Sequence, residues 1–162
     1  MGRLRTPLLG APPLPRYGVP ELVLGTSPSV ATDFTQTVLG GFYARLISVF
    51  CRLVCDANVA SREVVLEYRD QQNNRFDLTG SGTTVAAAST TDYAFSAYQG
   101  PTGITADATL LIPLHPILLA PSWNFRLHIV NVQAGDQLSR VRFYWERFYS
   151  DFAQPGSDPS DF

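Results

Sequence analysis

The sequence predicts an all-β chain built as one antiparallel β-sandwich over residues 41–148. An extended Pro-rich arm and lead-in precede it at 1–40, and a short acidic tail follows at 149–162. Three observations carry this. Several segments alternate apolar and polar residues with period two, as half-buried strands do. Turn signals rich in Gly, Pro, Asn and Asp separate them at roughly 8–12-residue intervals, the spacing of a sandwich or barrel. A length of 162 residues with 45% hydrophobic and 16% charged content fits one domain with a sizeable core.

Taken in order, Ile47, Val49, Cys51, Leu53 and Cys55 fall on one face of the first long strand. Val64, Leu66 and Tyr68 share a face of the next, with Glu63 and Glu67 opposite them as a solvated or salt-bridged row. Asp70–Asn74 is a polar turn before a short strand at Arg75–Leu78, and Thr79–Gly82 is a second turn. Further strands are expected near Val85–Ala88, Thr91–Ala97 and Ala108–Pro113, with a loop at Gln99–Gly103. Pro113–Pro121 is apolar but holds three prolines, which predicts a crossing loop that closes one end of the sandwich. Phe125, Leu127 and Ile129 alternate with Arg126 and His128. A hairpin-like turn at Gln133–Gln137 leads to Val141, Phe143 and Trp145, which alternate with Arg140, Arg142, Tyr144 and Glu146. The predicted core is therefore Ile47, Val49, Leu53, Val64, Leu66, Phe125, Leu127, Ile129, Val141, Phe143 and Trp145, from about eight strands in 41–148.

Composition narrows the function. The net charge of −2 argues against a dedicated nucleic-acid binder, which carries a basic excess. No apolar run is long enough for a membrane-spanning helix. The apolar stretch near the N-terminus is interrupted by Pro7, Pro12, Pro13 and Pro15, which argues against a secretory signal. All 12 basic residues are arginine; GC-rich coding accounts for this, and arginine also suits protein interfaces. The charges segregate: residues 1–20 hold Arg3, Arg5 and Arg16 and no acid, whereas 151–162 hold Asp151, Asp158 and Asp161 and no base. The first segment is also rich in leucine, so it reads as an arm that orders on a neighbouring surface.

No motif for catalysis stands out. His115 and His128 lack metal-ligand spacing, and Cys51 and Cys55, four apart on one strand face, read as small core residues too far apart for a disulfide. The N-terminal match to a myristoylation pattern is short and unspecific. The residues thus predict no enzyme, no metal and no cofactor. They point instead to protein contact through Arg3, Arg5, Leu8, Leu9, Arg16 and Tyr17 on the arm, and through Arg140, Arg142, Tyr144, Arg147, Tyr149 and Phe152 near the C-terminus. Phe148 joins those aromatics as an exposed ring; a sugar-binding platform would use the same residue types, but the interleaved arginines favour protein.

Two stretches carry a family resemblance: LISVFCRLVCDANVASREVVLEYRDQQNN, and PLHPILLAPSWNFRLHIVNVQAGDQLSRVRFYWERF. The long strand closing on Asp56–Arg62, the Leu/Pro-rich loop before Ser122-Trp123, and the Ala134–Gln137 turn before an aromatic last strand resemble small virion-associated proteins of tailed bacteriophages. The resemblance covers roughly 46–148. It implies a jelly-roll-like fold and a capsid cement or decoration protein, made in the host cytoplasm and carried on the capsid surface. Such a protein clamps the major capsid protein as a homo-oligomer, dimeric or trimeric. A neck or tail component, or a carbohydrate-binding tail module, is the alternative.

Overall fold

The structure, a computed structural model, describes residues 18–98, 103–104 and 109–149. The predicted contacts Arg3, Arg5, Leu8, Leu9, Arg16, Tyr17 and Phe152 lie outside these residues. The described chain forms β1 (Val19–Leu24), β2 (Phe34–Thr37), β3 (Phe42–Val54), β4 (Glu63–Arg69), β5 (Arg75–Gly80), β6 (Thr90–Ser96), β7 (Gly103–Ile104), β8 (Thr109–Pro113), β9 (Leu118–Leu119), β10 (Asn124–Val130) and β11 (Gln137–Tyr149). The larger sheet has the order β1-β11-β3-β6-β8-β7, with β9 also on β3, and the smaller has the order β2-β10-β4-β5.

This order is that of one long antiparallel hairpin wrapped on itself. Its tip is β4·β5, and behind the tip follow β3·β6, β2·β10 and β1·β11. Wrapping brings β11 against β3 and β10 against β4, which closes the two sheets. That is the jelly roll. Alternation supplies the reason: each strand has one apolar row to bury, and two sheets face to face bury both sets. The seam is aromatic, with Phe125 of β10 edge-on to Phe143 of β11 at 5.1 Å and Phe34 of β2 tilted against both. All eleven predicted core residues are buried.

One end of the sandwich is tied by charge. Arg62 and Asp136, 0% exposed, meet between the β3–β4 and β10–β11 connections, Arg62 donating Nε–H to Asp136 Oδ2 at 2.9 Å. The same guanidinium bonds the Asp56 carboxylate and the Ala60 carbonyl. Asp136 also accepts the backbone N–H groups of Asp56 and Gln133 at 2.9 and 2.7 Å. Gly135 donates to Asp56, and any side chain at that glycine would sit 2.7 Å from the Asp56 Cβ. The other two connections at this end dock on the cluster through backbone: Ala31 N–H on the Asp136 carbonyl, and Ala88 N–H on the Asp56 carbonyl. Ala31 and Ala88 take left-handed φ values of 56° and 52°, a conformation that costs an L-residue about 1–2 kcal/mol and that these bonds hold.

Several expectations are corrected. The sheets begin at Val19, not at residue 41, because Pro20 lies on an edge strand with its donor-less nitrogen turned away from β11. Val85–Ala88 is no strand; Val85 makes a single bridge to Arg62. Gln133–Gln137 is not a hairpin turn, since β10 and β11 lie in different sheets and the segment crosses between them around Asp136. Thr79 and Gly80 belong to β5 rather than to a turn, and Leu118–Leu119 within the proline-rich crossing loop pairs with β3. The sandwich is not wholly antiparallel, because β6 and β8 run parallel after the chain has crossed over. Ile47 is buried, but apart from the inter-sheet cluster: the β3–β11 register slips between Tyr144 and Trp145, and β3 changes phase there.

Three outcomes follow for stability. Phe125→Ala should lower the unfolding free energy by about 3–5 kcal/mol in denaturant titrations, through the cavity left at the seam. Asp136→Ala leaves a buried guanidinium with the Asp56 carboxylate alone and two backbone amides without their acceptor, and should cost about 3–5 kcal/mol, against about 0–1 for Glu146→Ala in the half-exposed pair with Arg45. Burial raises the Asp136 carboxyl, but Arg62 and the two backbone amides outweigh it and hold its pKa below the ordinary value of 3.8. Asp33, Glu67 and Asp92 are lowered likewise. Groups depressed in the folded state stabilise fully above their unfolded pKa. Denaturant midpoints should therefore hold down to about pH 4.5 and fall below it, and Asp136→Ala should flatten that fall.

Candidate functional site

The last strand decides which side chains reach a partner. Along β11, Leu138, Val141, Phe143 and Trp145 turn into the core, and a register shift between Ser139 and Arg142 restores this phase after Arg140, whose φ is 51°. Arg142 and Tyr144 consequently point away from the core on the outer face of the larger sheet. Pairing then lines up rows across four strands. One row runs Leu24, Arg142, Phe50, Ala94, and the next runs Leu22, Tyr144, Ser48, Ser96. The small side chains of Ser48, Ala94 and Ser96 leave a depression of about 200 Å3 bordered by Leu22, Phe50 and Tyr144. The Arg142 guanidinium lies 4.3 Å from the centre of the Phe50 ring. Leu22 and Leu24 are 65% and 78% exposed at the margin.

The surrounding charges are paired. Arg52 makes a two-pronged bond to Asp92, at 2.6 and 2.7 Å, which holds the Asp92 carboxyl below its usual range. Arg45 pairs with Glu146 and lies over the Phe148 ring. Arg142, by contrast, makes no hydrogen bond to a carboxylate among the described residues. The outer face of the smaller sheet is different in kind. Asp33 there receives Arg126 and His128, and Glu67, nearly fully buried, receives Arg69 and Arg75. Burial raises the carboxyls of Asp33 and Glu67, and the hydrogen bonds from these side chains, with the charge of the arginines, more than offset it. That face neutralises itself; the larger sheet's face leaves a guanidinium, a phenol and two leucines available.

The predicted contact residues divide accordingly. Arg142 and Tyr144 come together on this face. Arg140 stands beside Leu24 and Gly25 at its margin, in the bulge. Arg147 and Tyr149 follow the inward phase at the far end of the strand: Arg147 pairs with Glu21 at 3.1 Å and lies over Phe42, and the Tyr149 ring is 6.4 Å from that of Phe42. Phe148 is buried rather than exposed, beneath Arg45 and against Gly18. His115 and His128 each meet an aspartate distant in sequence, Asp77 and Asp33. Cys51 and Cys55 are buried free thiols, and burial pushes both pKa values up. Among the described residues no group of three or more His, Cys, Asp or Glu side chains is placed to hold a metal ion. Leu22, Leu24 and Phe50 went unselected. The alternation within VPELVL was the signal for the two leucines, masked by Pro20.

An exposed residue of a docking face is replaceable without loss of the fold. Leu24→Ser should change the unfolding free energy by no more than about 0.5 kcal/mol in a denaturant titration; a loss above about 2 kcal/mol would mean the side chain is buried in solution. Comparison of the chain with models of known protein families and with curated proteins gives no match.

Proposed function

We propose that the chain is a non-enzymatic structural virion protein, a cement or decoration protein that binds and stabilises the major capsid protein shell of a tailed phage. The observation that carries this reading is the outer face of the larger sheet, where Leu22, Leu24, Phe50 and Tyr144 surround an arginine that bonds no carboxylate among the described residues. Interface centres are built from such residues. The jelly-roll architecture and the resemblance over 46–148 add support. The described chain ends, Gly18 and Tyr149, both lie at the end of the sandwich opposite Asp136, one at each side of the β1·β11 pair. Gly18 and Tyr149 are therefore neighbours at that end.

Exposed ion pairs contribute about 0–1 kcal/mol each, so charge steers the contact and apolar burial holds it. The test is co-sedimentation with shells assembled from the major capsid protein of the same particle. Binding is expected, and it should survive about 1 M salt, where the screening length is about 3 Å. Tyr144→Ala and deletion of residues 1–17 should each lower occupancy. Failure to bind shells, together with specific signals on a glycan array, would replace this reading with a carbohydrate-binding tail module.

A further inference from the structure

The edge of the larger sheet is open at β1. Gly25 N–H bonds the Val141 carbonyl, so in the antiparallel register the odd residues Val19, Glu21 and Val23 direct their backbone groups to β11. The even residues Pro20, Leu22 and Leu24 direct theirs away from the sheet. Two N–H groups and three carbonyls thus face outward along this edge, and among the described residues nothing pairs with them. Natural edges are blunted by charge, brevity or proline. The other described edges follow that rule: β2 has four residues, β7 has two, and β5 carries Arg75 and Asp77. On β1 the one charged side chain, Glu21, is turned inward, where it accepts from Trp145 Nε1 at 2.7 Å and pairs with Arg147. Pro20 blunts one end, and Leu22 to Leu24 remain unguarded.

We propose that β1 is a self-pairing edge, so that two copies of this chain join β1 to β1 antiparallel about a two-fold axis at Val23 and fuse their larger sheets into one. The occupant is a second copy because the edge complements itself. In this register Leu22 of each copy faces Leu24 of the other, and the two leucine pairs exchange four backbone hydrogen bonds. All four leucines then meet on the outer face, where each is largely exposed in a single chain. No like charges oppose one another across the axis, and Pro20 falls beyond these pairs, where its missing donor does not matter. The buried area of such a contact lies below about 1,200 Å2, the range of weak association that strengthens when copies are held side by side. The pairing does not rest on the capsid reading, and each can fail without the other.

The test is residue-resolved amide hydrogen exchange of the full chain, from about 10 μM to about 1 mM, a range over which a weak dimer passes from mostly separate to mostly joined. Exchange at Leu22 and Leu24 should slow by roughly tenfold with concentration, while Val23, bonded to β11, is protected throughout. Leu24→Arg should abolish the concentration dependence with an unchanged circular dichroism spectrum, and Leu78→Arg on the β5 edge should leave it intact. Fast exchange at Leu22 and Leu24 at every concentration would overturn the proposal. So would protection independent of concentration, since the edge would then be covered within one chain, and so would concentration dependence that persists in Leu24→Arg.

Discussion

The Asp136 carboxylate organises the end of this sandwich. In a jelly roll most connections cross from one sheet to the other, so the backbone groups of those crossings have no ladder to join and must find partners elsewhere. Here four connections converge at one end, and Asp136 with Asp56 supplies acceptors, carboxylate or carbonyl, to all four while Arg62 joins the two carboxylates. A buried ion pair contributes little net energy when whole and costs heavily when broken from one side. What it provides is register: the crossings can dock in one way, and left-handed alanines persist because the cluster holds them.

With that end fixed, the strands leave it in set phases. The bulges after Ser139 and near Ile47 then determine which side chains face out, and the two outer faces come to differ in chemistry. The smaller sheet's face satisfies its charges internally through Asp33 and Glu67. The larger sheet's face sets small residues beneath Leu22, Phe50 and Tyr144 and stacks Arg142 on Phe50. Dehydrating that second face costs less and exposes no broken ion pair, which is why binding is assigned to it.

Much of the fold was legible because β3, β4, β10 and β11 each bury one face, and burial writes a period of two into the residues. The pairing of Arg62 with Asp136 was not legible. The two are 74 residues apart, and each looks like an ordinary loop charge, although both fall in the segments, Asp56–Arg62 and Ala134–Gln137, on which the family resemblance rests. The strand β1 was hidden for a different reason. Proline reads as a strand breaker unless it is known which side of the strand its nitrogen faces, and that depends on the partner. The contact residues were half legible for the same reason: alternation selected Arg142 and Tyr144, while the phase changes at Arg140 and Ile47 and the turning of Arg147 and Tyr149 toward Phe42 depend on register with β3 and β1.

The proposed shell contact, the outer face of the larger sheet, is open to direct measurement. Hydroxyl-radical footprinting with mass-spectrometric readout, on the chain free and on shells, measures this side chain by side chain. Binding through this face predicts that Leu22, Phe50 and Tyr144 lose reactivity on the shell while Leu78, on the opposite sheet, keeps it. Protection of Leu78 with Leu22 and Tyr144 still reactive would contradict the account.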